Sequence, residues 1–170
     1  MMSGLKGWTR ARARSRRTWA VIAVVALALV ALTAVILTGR GPAVAEQELT
    51  VPVGAEPDGE VVALDATVFT PDLPGPHPAV LLAHGFGGSK SDLAEQARSL
   101  AERGYVVMTY SARGFGASGG RIHLNAPAYE VADAQVLLDR LAALPDVELD
   151  APGDPRVGVA GGSYGGARSI

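Results

Sequence analysis

From residue 79 onward the apolar and polar positions fall into short segments that switch between two periods. Ala79–Ala83, "AVLLA", is apolar without a break, as a strand covered on both faces requires. Before it, Val61 to Thr70 nearly alternates and reads as a strand, closed by a turn holding Pro71, Pro74, Gly75, Pro76 and Pro78. Leu93, Ala94, Ala97, Leu100 and Ala101 recur at helical spacing, predicting a helix over 91–103 with Ser89 or Ser91 to cap its start and Gly104 to close it. A strand follows over 105–110, then a Gly-rich loop over 111–120. A second helix is predicted over 128–144, with Val131, Ala134, Leu138 and Leu141 on one face and Pro145 ending it. Val157 to Ala160 is a last short strand. Strand and helix alternate throughout, which predicts an α/β domain with a mostly parallel sheet, helices on both faces and right-handed crossovers.

The first 45 residues have a different pattern. Lys6, Arg10, Arg12, Arg14, Arg16 and Arg17 precede any acid, and Trp19 to Leu37 is a nineteen-residue run with Thr33 as its one polar member. A bilayer crossing needs about 20 such residues. The segment 1–45 is therefore expected to be a basic tail followed by a transmembrane or signal helix. Ala43-Val44-Ala45 has the small-x-small form of a signal-peptidase site, so an uncleaved anchor and a leader cleaved near Ala45 both remain open. A twin arginine at 16–17 is weak support for export. The basic end should stay cytoplasmic, which leaves the remainder outside the cytoplasm, either anchored or secreted. Residues 46–59, rich in Pro, Gly and acids, read as a linker, and 60–170 as the domain.

Charge supports this division. All 17 acids lie from Glu46 onward against 8 of the 15 Lys and Arg, a net charge of −9 for that part. Such an acidic segment argues against nucleic acid as a partner. With no cysteine in the chain, neither a disulfide nor a thiolate nucleophile is available. No metal or other cofactor is expected.

Two motifs carry candidate chemistry. Gly161-Gly162-Ser163-Tyr164-Gly165 fits GxSxG, the nucleophile elbow, in which glycines let a serine sit on a tight strand-to-helix turn. His84-Gly85-Phe86-Gly87-Gly88 follows an apolar strand and precedes a helix, the place from which one oxyanion-hole N–H comes in such folds. Two rival readings fail on context. Lys90-Ser91 resembles the end of a phosphate loop, but Ser89 stands where glycine is needed. Gly114-Phe115-Gly116-Ala117-Ser118-Gly119 matches GxGxxG with Asp139 twenty residues on, yet a further loop follows where a dinucleotide site needs a helix. His77, His84 and His123 all precede Ser163, whereas the triad in this fold runs serine, acid, histidine. Turn, oxyanion-loop and surface roles are expected for them in turn.

Together, "AVLLAHGFGGSK", "YSARGFGASGGR", "YEVADAQVLLDRLAALP" and "GDPRVGVAGGSYGG" resemble the α/β-hydrolases of the X-prolyl dipeptidyl peptidase and cocaine-esterase-like family, over about residues 60–170. That resemblance implies an α/β-hydrolase fold and hydrolysis of an ester or peptide bond in a small substrate through a seryl acyl-enzyme. Ser163 would be the nucleophile and the Tyr164 N–H one oxyanion donor. The family often uses a tyrosine hydroxyl as the second donor; Phe86 stands there, leaving its backbone N–H. Ser111 replaces an acid frequent at the start of the RGxGxS loop. The family's Asp and His would lie beyond Ile170, so the chain is expected to be the N-terminal half of a hydrolase, a fragment or a natural truncation, inactive alone. The alternatives are an acyltransferase on the same elbow and a non-catalytic interaction module that keeps the fold.

Overall fold

The computed structural model describes residues 41–166, together with 25–27 and 29–30, and divides into two units, Met1–Gly41 and Pro42–Ile170. In the first unit residues 25–27 and 29–30 are helical and exposed. Among the described residues no helix is long and apolar enough to cross a membrane. Most of the run Trp19–Leu37 lies outside the described residues, and with it the membrane-targeting reading.

The second unit is built on a five-stranded sheet in the order β1 (Val44–Pro52), β2 (Ala63–Pro71), β4 (Val106–Tyr110), β3 (Ala79–Ala83), β7 (Val157–Gly161). A small hairpin, β5 (Leu149–Ala151) with β6 (Asp154–Pro155), stands apart from it. Adjacent side chains of β3 point to opposite faces, and both faces are covered. Leu82 joins Phe69 and Val107 under Ala97 and Ala101 of α1 (Ala94–Ala101). Leu81 joins Leu64, Val68 and Met108 under Leu137 and Leu141 of α2 (Ala132–Ala142). This double burial is why the run carries no polar break; each such leucine contributes about 1.5–3 kcal/mol.

Three expectations need correction. The expected linker over 46–59 instead supplies most of a nine-residue strand, β1, paired antiparallel with β2 from Val44↔Pro71 to Pro52↔Ala63. An outer strand needs an apolar residue only at alternate positions, here Leu49 and Val51. The acids that resembled a solvated linker are paired: Glu46 with Arg98 of α1 at 2.5 Å, and Glu48 with Lys90, which also reaches Asp65 at 2.6 Å. The folded unit accordingly starts near Pro42 rather than residue 60. Next, the sheet is mixed. β3 is parallel to β4 and β7, while β2 is antiparallel to β1 and β4. β3 reaches its parallel neighbour β4 through the helical crossover α1, as a parallel pair requires, whereas β1 and β2 follow one another antiparallel across the loop 53–62.

The third correction concerns α2. A π-helical turn over Pro127–Val131 precedes it, and the inward face carries Glu130, Asp133, Leu137 and Leu141, with Val131 exposed. Two acids on a buried face require a buried cation, and Arg113, fully buried, supplies it. Its guanidinium donates two hydrogen bonds to Asp133, at 2.7 and 2.6 Å, one to Glu56 at 3.2 Å and one to the Gly54 carbonyl at 3.1 Å. The hydrogen bond to Asp133 pushes the Arg113 pKa above its ordinary value. Burial pushes the Glu56 carboxyl up, but the Arg121 N–H, His123 and the Arg113 charge outweigh it and hold it below the usual carboxylate range. His123 therefore does not have the surface role expected of it: its Nε2 lies 2.7 Å from Glu56, and its ring stacks on Tyr129 at 3.7 Å.

Arg113→Ala leaves Asp133 and Glu56 buried without their cation, and breaking a buried pair in this way costs about 3–5 kcal/mol. Arg113→Lys should recover little of it, because an ammonium cannot form the two-pronged contact with Asp133. Denaturant midpoints of both variants test this, and a loss under about 1 kcal/mol in Arg113→Ala would refute it.

Candidate active site

The sharpest local feature of the unit follows β7. Ser163 has φ +54, a left-handed conformation that a non-glycine residue adopts only where its surroundings impose it, and it is exposed at the tip of the turn. The imposing groups are the flanking glycines. A Cβ on Gly161 would lie 2.7 Å from the Ala83 carbonyl oxygen, and one on Gly165 would lie 2.7 Å from Ala83 C and 2.8 Å from His84 O. Any side chain at either position would force the turn off the end of β3. By contrast, a Cβ on Gly162 would meet nothing within 4 Å. The turn is closed by Gly165 N–H donating to Gly162 O and Gly166 N–H donating to Ser163 O, each at 3.0 Å. The register aligns Ala83 of β3 with Gly161 of β7, so the two loops leaving these strands start side by side.

The loop leaving β3 is His84–Gly88. His84 is buried; Ala112 N–H donates to its Nε2 at 3.0 Å, which leaves Nδ1–H to donate to Gly85 O at 2.7 Å. The imidazole is therefore a strut between this loop and the loop after β4. A Cβ on Gly85 would stand 3.6 Å from Gly162 O, so the backbones of the two candidate loops are neighbours. Phe86 is 63% exposed, and its ring meets Phe115 at 5.3 Å and Tyr164 at 5.7 Å, both edge to face. Such pairs contribute about 0.5–1.5 kcal/mol each. The three predicted site residues, Ser163, Tyr164 and Phe86, thus come from two loops at one end of the sheet.

The Gly-rich loop 111–120 does not open a helix, in keeping with the rejected dinucleotide reading. It is anchored without an acid at 111. The Ser111 hydroxyl accepts the Lys90 N–H at 3.2 Å, and Ser118 donates to Ser111 O at 2.6 Å while accepting Asp65 N–H at 2.8 Å. Sequence reasoning missed two residues at the elbow. Asn125 Nδ2 donates to Tyr164 O at 3.1 Å, and Glu130 accepts the Tyr164 hydroxyl at 3.2 Å. The signal available for Glu130 was its i, i+3 spacing to Asp133 on a helix whose next inward residues are leucines.

Comparison with known proteins bears on the family and the fold. A family model described as serine aminopeptidase, S33, matches residues 74–170. Among solved structures, a hypothetical protein from Pseudomonas aeruginosa aligns at 27% identity and TM-score 0.52, over 68% of this chain and 34% of its own. Acetyl xylan esterase 1 from a Thermoanaerobacterium species aligns at 22% identity and TM-score 0.53, over 75% and 47%. A hyperthermophilic esterase from Pyrobaculum calidifontis aligns at 24% identity and TM-score 0.53, over 81% and 40%. The chain thus spans from about a third to about half of the lengths of these structures. No curated protein matches it. The expected α/β-hydrolase fold stands, while the matching family is S33 rather than the X-prolyl dipeptidyl peptidase and cocaine-esterase-like one that the motifs resembled.

Overpacking of a tight site costs about 1–3 kcal/mol, more where the opposing atoms are backbone. Gly165→Ala should therefore destabilise the unit by about 2 kcal/mol or more, and Gly162→Ala by less than about 0.5 kcal/mol. Thermal melts of the two variants check this; equal effects would show that the glycines are not held by close approach to β3.

Proposed function

The chain belongs to the serine aminopeptidase S33 family of α/β-hydrolases, and from that premise we propose that the whole protein hydrolyses an ester or peptide bond through a seryl acyl-enzyme, with Ser163 as nucleophile. The observation that carries this reading is the left-handed Ser163, exposed between two glycines pressed against the end of β3. Ser163 Oγ attacks the substrate carbonyl carbon, and the Tyr164 and Phe86 N–H groups stabilise the developing oxyanion. One such donor is worth about 10²–10³ in rate. Serine at its free pKa is a weak nucleophile, and a positioned base contributes about 10²–10⁴. His77, His84 and His123 all precede Ser163, against the serine, acid, histidine order of this fold, and His84 in addition has both ring nitrogens engaged, by Gly85 O and Ala112 N–H, so the base is not assigned to them. It is assigned to the remainder of the whole protein. The family's description favours a peptide substrate over an ester.

We also propose that the unit from Pro42 onward lies outside the cytoplasm, anchored or released, on the evidence of the basic residues 6–17 and the apolar run 19–37. Cleavage after Ala45 would remove Val44 and Ala45 from β1 and leave seven residues of that strand paired.

Two experiments test these readings. In the whole protein a fluorophosphonate probe should label wild type and fail to label Ser163→Ala; labelling that survives the substitution would place the nucleophile elsewhere. An export-dependent phosphatase reporter fused after Gly41 should be active, and a fusion that is expressed but inactive would refute the topology.

A further inference from the structure

Tyr164 is held from two sides by one loop. Asn125 Nδ2 donates to its main-chain oxygen, and Glu130 accepts from its hydroxyl. Both partners belong to the segment between the Gly-rich loop and α2, 34 and 39 residues away in sequence. We propose that Asn125 and Glu130 are positioning residues: Asn125 holds the Tyr164–Gly165 peptide and Glu130 the Tyr164 hydroxyl, and together they fix Tyr164 from both ends, and with it the direction of its N–H, relative to the His84–Phe86 loop. The inference rests on the reading of Ser163 as nucleophile.

The loop is built for this at a conformational cost. Leu124 and Asn125 have φ +54 and +62, two successive left-handed residues without a glycine. Asparagine tolerates that region; leucine does not. Leu124 is 72% exposed, so burial of its own side chain does not account for the conformation. Glu130 does. Its buried carboxylate accepts His123 N–H at 2.6 Å and Ala126 N–H at 3.0 Å, the two residues that flank the left-handed pair. The same carboxylate that pins the turn shut also receives the Tyr164 hydroxyl. The π-helical turn at Pro127–Val131 directs Glu130 inward beside Asp133. A turn with no task at the elbow would need neither a strained leucine nor a buried acid stapling it, and strained backbone concentrates where a side chain must be aimed.

Asn125→Gly in the whole protein is the decisive variant, since glycine adopts φ +62 freely while the side-chain donor to Tyr164 O is lost. Its melting temperature should not fall. Labelling by a fluorophosphonate probe should slow about 10-fold or more, as expected when a reacting group loses its positioning. Turnover of p-nitrophenyl acetate should lose kcat while KM stays within about twofold. Hydrogen exchange of a peptide covering 161–166 should rise, with that of β4 unchanged. Glu130→Gln, which keeps the shape of the side chain, should move the same readouts in the same direction. Wild-type labelling and wild-type elbow exchange in Asn125→Gly, in a protein whose Ser163→Ala variant is unlabelled, would overturn the proposal alone. Labelling that survives Ser163→Ala would overturn the nucleophile reading and this proposal with it.

Discussion

The geometry of the site depends on one close approach. The backbone of Gly161 and Gly165 lies against Ala83 and His84, where no Cβ has room, at the point where the central strand β3 ends. Because β3 is paired on both sides, with β4 and with β7, its end is a fixed reference, and the turn after β7 takes its shape from it. The left-handed conformation of Ser163 follows from that contact and needs no special property of the serine. The same contact brings the loop after β3 within reach of the elbow, so candidate nucleophile and candidate oxyanion donors are set by a single packing event.

A second constraint holds the surrounding loops in register. Arg113 gathers Glu56 from the β1–β2 connection, Asp133 from α2 and the Gly54 carbonyl, groups up to 59 residues from it in sequence. The loop that carries Arg113 also carries Phe115, whose ring lies between His84, Phe86 and Tyr164. Buried charge of this kind adds little net stability over an apolar replacement, but it admits only one arrangement of its partners. Here that arrangement fixes the aromatic group beside Ser163.

The legibility of each part in the sequence follows its physics. Residues 79–83 were readable as a strand to the residue, because burial on two faces leaves an unmistakable apolar run. The elbow was readable because its steric demand falls on glycines at fixed spacing. β1 was not, since an outer strand with paired acids has the composition of a solvated linker, and the pairs with Lys90 and Arg98 join residues 42 and 52 positions apart. The inward face of α2 was misread for a similar reason: Glu130 and Asp133 belong in the interior only once Arg113 and the turn at 123–126 arrive to meet them. Polar burial is a property of the assembled site, and no local period records it.

The two margins of the sheet differ in kind. β1 carries Glu46, Glu48 and Pro52 along its length, and charge and proline on a border strand discourage any neighbour from adding to it. β7, "VGVAG", bears neither charge nor proline, and among the described residues only its β3 side is paired. The sheet is thus closed to growth on one flank and receptive on the other. A strand added to this sheet would find its backbone partners beside β7, the strand whose C-terminal end leads into the turn of Ser163.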